Sequence, residues 1–170
     1  MLEVINELRE EHRAILCLIE KNDILAVIKY VEEIHHPKEE KLLFPKLAGH
    51  PLLNQGGPRC MYFRGLELDL QIYDGAKKVL KDFYQNKGPR PHAYGTFHWL
   101  KDNNPLNIPM EEHRLGHELS QAIQFLYTHP SSDLYKDFLV PLEQEYVRLL
   151  KLHIEKEDTC LFILAERILQ

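Results

Sequence analysis

The sequence contains no apolar run approaching the roughly eighteen residues a membrane-spanning helix needs, so no membrane span is expected. Its opening, MLEVINELREEHR, lacks the basic start and apolar stretch of a signal peptide, and none is expected. Cysteine is scarce and unpatterned. Cys17, Cys60 and Cys160 are an odd number with no C-x-x-C spacing, which argues against a disulfide framework and a thiolate zinc site. A cytoplasmic, reducing location is the natural expectation. Basic excess is absent too: the net charge is -5 and the pI is near 6.1, so nucleic acid is not an expected partner. No stretch shows the alternation of a β-strand. Glycine is nearly missing outside one region, since seven of the eight glycines and six of the ten prolines fall within 49–109.

What is present is histidine. The chain has ten in 170 residues, where roughly four would be ordinary, so the excess needs a reason. The length suits a single domain, 1–170, with 49–109 as an insertion.

The apolar spacing predicts helices over 2–21, 24–47, 110–128 and 133–168. Asn22-Asp23 and Pro130-Ser131-Ser132-Asp133 are the breaks. Pro37 predicts a bend near His36, and Pro141 a kink in the last helix. The insertion predicts one helix, about 65–86, between long loops, and long loops inside a compact domain are often functional. The expected fold is all-α: an up-down-up-down four-helix bundle with an inserted helix and long loops between bundle helices 2 and 3.

Two internal repeats set the register. Glu10-Glu11-His12-Arg13 recurs as Glu111-Glu112-His113-Arg114. The segment His35 to Phe44 recurs as His153 to Phe162, with His, Lys, Glu, Leu and Phe identical at matching places and Glu40 matched by Asp158. Each half is thus an EEHR helix followed by an H-x-x-x-E helix. The match to the last helix selects His35 with Glu39 over His36 with Glu40, and leaves His36 outward or behind the ligands.

Residues four apart share a helix face. His35/Glu39 and His153/Glu157 each offer one imidazole and one carboxylate to a common point, His113/His117 offer two imidazoles, and His12 offers one. Five histidines and two carboxylates suffice for two metal ions. A nitrogen and oxygen set without thiolate points first to iron, as a non-haem pair joined by an oxo or hydroxo bridge. Leu16 stands where the repeat places His117 in the other half. One ion would then have three histidines (His113, His117, His153) and the other two (His12, His35), with a vacant position for a small diatomic ligand. Any one of these elements is common by chance: His50, His92, His98 and His129 read as ordinary histidines, EEHR alone as a salt-bridged face, and the repeated Leu and Phe as packing. Their coincidence in phase and order is the specific signal.

In these motifs the chain resembles the hemerythrin-like (HHE cation-binding) family, through His12, HHPKEEKLLFP, EEHRLGH and HIEKEDTCLF, over roughly 1–48 and 109–167. The resemblance implies a di-iron centre at the same seven positions, used in oxygen binding or in oxygen, nitric oxide or iron sensing and stress response. Two features depart from the oxygen carriers. The last carboxylate is a glutamate four residues after its histidine, and the connection between the second and third helices is about sixty residues long.

Three functions are compatible with these residues. The first is a non-enzymatic module binding oxygen or nitric oxide for sensing, storage or stress response, favoured by the histidine-rich ligand set. The second is an enzyme acting on peroxide or nitric oxide, or an iron donor for iron–sulfur repair. Tyr62, Phe63, Tyr73, His92, Tyr94, His98 and Trp99 would then be candidates from the insertion, although plain packing is the preferred reading of them. The third is a structural bundle holding zinc or nothing. The insertion offers a surface for a homodimer or a protein partner.

Overall fold

The computed structural model describes residues 1–61, 69–85 and 95–169, and these are helical with no strand among them. Helix α1 is Leu2–Glu20. Asn22, in the left-handed region at φ 55°, turns the chain. Asp23 then caps the next helix by accepting from the Ala26 N–H at 3.1 Å.

Helix α2 runs over 24–48 in five stretches that keep right-handed helical angles throughout: Ile24–Tyr30, a π turn Val31–His35, His36–Lys38, a second π turn Glu39–Leu43, and Phe44–Ala48. The first π turn has a local cause. Pro37 has no N–H to donate and its ring crowds the preceding turn. The helix absorbs this by widening, with the His36 N–H donating to the Val31 carbonyl five residues back.

A short α3 (Pro51–Asn54) and a 3-10 turn (Arg59–Met61) follow. Helix α4 (Leu70–Gln85) lies within the range predicted for the inserted helix, whose two ends fall outside the described residues. Helix α5 is Asn107–Thr128. Helix α6 spans 133–168 as Asp133–Lys156, a π turn Glu157–Leu161 and Phe162–Ile168, with Ser132 capping its start through the Leu134 N–H. Pro141 lies inside the α6 helix.

The core is two apolar clusters separated by a polar layer. One holds Ile15, Ile19, Val27, Ile28 and Val31 with Ala76, Val79, Leu119, Ile123, Leu142 and Tyr146. The other holds Ile5, Leu8, Leu43, Phe44, Leu47, Leu106, Met110, Leu161 and Phe162. The inserted helix is therefore core material, packed on α5 and α6. Gly75 permits that approach, since a Cβ there would fall 2.6 Å from the Phe138 ring.

The expectation of reduced, unpaired cysteines is overturned for two of the three. Cys60 and Cys160 form a disulfide across 100 residues of sequence, and Cys17 is free and exposed. Spacing could not reveal the pair, because the fold alone brings the 3-10 turn of Cys60 against the π turn of Cys160. Among the described residues no helix is long and apolar enough to cross a membrane.

Candidate metal centre

Between the two apolar clusters lie His12, His35, His36, Glu39, His113, His153 and Glu157, all buried. They form two groups whose ligand atoms lie within 4.8 Å of one another: His12, His35, Glu39 and Glu157, and His36, Glu39, His113 and His153. Both carboxylates reach across the groups. Glu39 Oε2 is 3.6 Å from His35 Nε2 and 3.3 Å from His113 Nε2. Glu157 Oε2 is 3.3 Å from His12 Nε2 and 3.2 Å from His153 Nε2.

A ring of outer carboxylates fixes four of the imidazoles. His12 Nδ1 meets Asp158 at 3.0 Å and His35 Nδ1 meets Glu11 at 3.0 Å. His113 Nδ1 meets Glu40 at 2.8 Å and His153 Nδ1 meets Glu112 at 2.8 Å. Lys38 pairs with Glu11, and Lys156 pairs with Glu112. This ring obeys the repeat: Glu11 and Glu112 precede the EEHR histidines, Glu40 matches Asp158, and Lys38 matches Lys156. The EEHR glutamates next to the histidines are therefore no solvated face. Each orients a histidine of the neighbouring helix.

Those hydrogen bonds place the ring proton on Nδ1 and leave Nε2 with its lone pair. Yet His12 Nε2 and His35 Nε2 face each other at 3.0 Å, and His113 Nε2 and His153 Nε2 at 3.1 Å. Two facing lone pairs repel unless a proton or a cation lies between them. Both oxygens of Glu39, both of Glu157 and the Nε2 of His36 are buried with no hydrogen bond. Buried polar atoms without partners are costly, and here all five point into one layer. A cation pair bound by these atoms would satisfy all of them, so the residues present fit such a group.

The electrostatics agree. Burial pushes His35, His36, His113 and His153 below the ordinary imidazole value, towards the neutral form that coordinates a metal. Burial and the charge of Glu157 raise Glu39 well above the carboxylate range. Burial opposes the charge of Glu157 as well, but with His153 beside it the cationic His12 holds the carboxyl below the usual carboxylate range. Burial likewise opposes the charge of His12, while Asp158 and Glu157 raise it to about 9. Without a metal, a proton on His12 relieves the contacts with His35 and Glu157 on its own side of the layer.

The layer brings together six residues expected from the sequence: His12, His35, Glu39, His113, His153 and Glu157. His117 is not among them. Its Nδ1 binds Glu32 at 2.6 Å and its Nε2 faces Gln121 at 2.7 Å, on the partly exposed flank of α5. The expected outward or outer position of His36 is corrected: it is buried at 6% exposure, its ring stacked 3.6 Å from that of His113. The match to the last helix set His36 aside because Ile154 stands opposite it, but the π turn ending at His35 adds a residue to the turn and brings His36 to the layer beside His35. The asymmetry between the halves persists with different residues. His36 has Ile154 as its match, in place of the expected His117 and Leu16.

The remaining histidines and aromatics lie elsewhere. His50 caps α3 by accepting from the Leu52 N–H, and His129 stacks on Phe125. His98 is exposed. Tyr73 donates to Glu118 at 2.5 Å, and Trp99 packs with Phe97 on the second apolar cluster. Tyr62, Phe63, His92 and Tyr94 lie outside the described residues. No family model, no curated protein and no solved structure matches this chain.

Proposed function

We propose that this protein holds two non-haem iron ions in a hemerythrin-like, up-down-up-down four-helix bundle and binds a small diatomic molecule, oxygen or nitric oxide, for sensing, storage or stress response. The observation that carries the reading is the buried layer itself: five imidazoles and two carboxylates whose donor atoms converge without other partners. The ions would supply reversible binding of the diatomic molecule. His12 and His35 would hold one ion, His36, His113 and His153 the other, and Glu39 and Glu157 would span both.

The donor set favours iron: imidazole suits iron, zinc and copper, carboxylates favour harder ions, and the set contains no thiolate.

The protein's own contribution is orientation and exclusion of water. Glu11, Glu40, Glu112 and Asp158 lock the rings, which typically matters tenfold to a hundredfold in metal affinity. The apolar clusters above and below keep the layer dry. Ile154, buried in the first apolar cluster where the other half has His36, leaves the His12/His35 side one nitrogen short. Such a place suits an uncharged diatomic molecule. The test is to load ferrous iron, admit air and follow the visible spectrum. A band that forms and bleaches reversibly on degassing supports the proposal. Immediate irreversible oxidation, together with no spectral response to nitric oxide, would contradict it.

A further inference from the structure

We propose that the Cys60–Cys160 disulfide is a redox latch on an opening that leads to the metal layer. The proposal rests on the metal-centre reading above. A cleft of about 20 Å³ lies between the start of α5, at Ile108 and Pro109, and the π turn of α6, at Glu157, Cys160 and Leu161. That volume is enough for one water or a diatomic molecule, for which roughly 10–15 Å³ suffices. Glu157, whose two carboxylate oxygens are buried without a hydrogen bond, is among its lining residues. The ion-paired Lys156 and Glu112 line it as well.

Cys160 is both a wall of this cleft and one end of the disulfide. The other end, Cys60, belongs to the 3-10 turn Arg59–Met61, which packs on the π turn Glu157–Leu161. The bond therefore pins a segment remote in sequence onto the turn that presents Glu157. A π turn is a locally weakened piece of helix, and this one has an external tie. The two sulfurs differ in access: Cys60 is exposed, whereas Cys160 is buried.

Opening the latch needs a dithiol reductant. One of its thiolates attacks Cys60 Sγ, the S–S bond breaks, and Cys160 Sγ leaves as a thiolate that takes up a proton. The second thiol of the reductant then displaces Cys60 and closes its own disulfide. In all, two electrons and two protons pass to the protein. A dithiol reductant and its oxidised form make the bond reversible by thiol–disulfide exchange. Exposed disulfides are the ones most often regulatory.

The experiment compares the wild-type protein before and after dithiol treatment with a Cys60→Ser variant, in two measurements. Amide hydrogen exchange on metal-free protein should show faster exchange at 157–161 after reduction and in the variant, with exchange at 119–126 of α5 unchanged. Metal release to a chelator from loaded protein should accelerate at least tenfold in the same two samples, and dithiol should add nothing in the variant. Equal exchange at 157–161 in all samples would overturn the latch, and so would a uniform rise across the molecule, which would make the bond a plain staple. If Cys60→Ser does not fold, the dithiol-treated wild type carries the comparison. Failure to load metal in any redox state would contradict the metal reading, while the exchange data still decide the latch. Loading with identical release rates would leave the metal reading intact and sink the latch.

Discussion

His36 and Ile154 occupy matching positions in the two halves and are chemically opposite, so single substitutions there separate the two sides of the layer. His36→Ala should weaken binding of one ion at least tenfold, measured by metal titration, whereas His117→Ala should stay within about threefold, because His117 turns to Glu32 and Gln121. The opposite ranking would restore His117 to the ligand set. Glu112→Gln removes the carboxylate that fixes His153 and should cost about tenfold to a hundredfold in affinity while leaving the helical spectrum unchanged. The six inner residues were legible because they recur in phase with the repeat, whereas Glu11, Glu112, Lys38, Lys156, Glu40 and Asp158 recur beside them but served in the sequence only to set the register, since which ring each meets depends on helix packing. His36 was not legible, since its match in the other half is Ile154 and the π turn that brings it in beside His35 leaves no mark in the spacing.

The helices themselves follow from apolar spacing, with a side-chain cap only at α6 among α1, α5 and α6, and these three lie close to their predicted ranges. The π turns do not follow from spacing. The one in α6 contains no proline and matches the second one in α2, where Pro45 follows, so proline alone does not explain the pair. Both begin at the carboxylate, Glu39 or Glu157, and place it at a widened turn facing the layer. Helix α4 makes a different case. Its glycine reads as a weak point in a helix, yet Gly75 is where the helix meets Phe138. Gly75→Ala gains about 1 kcal/mol in helix propensity and loses about 1–3 kcal/mol to overpacking. The expected net is a loss of about 1 kcal/mol in chemical denaturation, with metal content unchanged. A gain in stability would mean that α4 does not pack there as described.

For the molecule as a whole, the buried layer ties stability to pH and to metal. His12, raised from 6.5 to about 9, stabilises the metal-free fold fully below its unfolded value, and that contribution is lost as pH rises through about 9. Glu40, raised from 4.5 to about 7 by burial and by Glu32, has the same sign over its own lower window. His35, His36, His113 and His153 are depressed and act in the opposite sense, costing stability as pH falls below their ordinary value. Between pH 6.5 and 9 the metal-free protein should therefore lose stability while metal affinity rises, because the proton on His12 competes with the ion. Denaturation and metal titration at the two ends of that window check both trends, and an affinity that is flat or falling with pH would contradict them. The most direct measurement is elemental analysis of protein purified without added metal, paired with X-ray absorption at the iron edge. The account predicts about two iron atoms per chain in a six-coordinate nitrogen and oxygen environment. An absence of metal after attempted loading, or a single tetrahedral zinc, would contradict it.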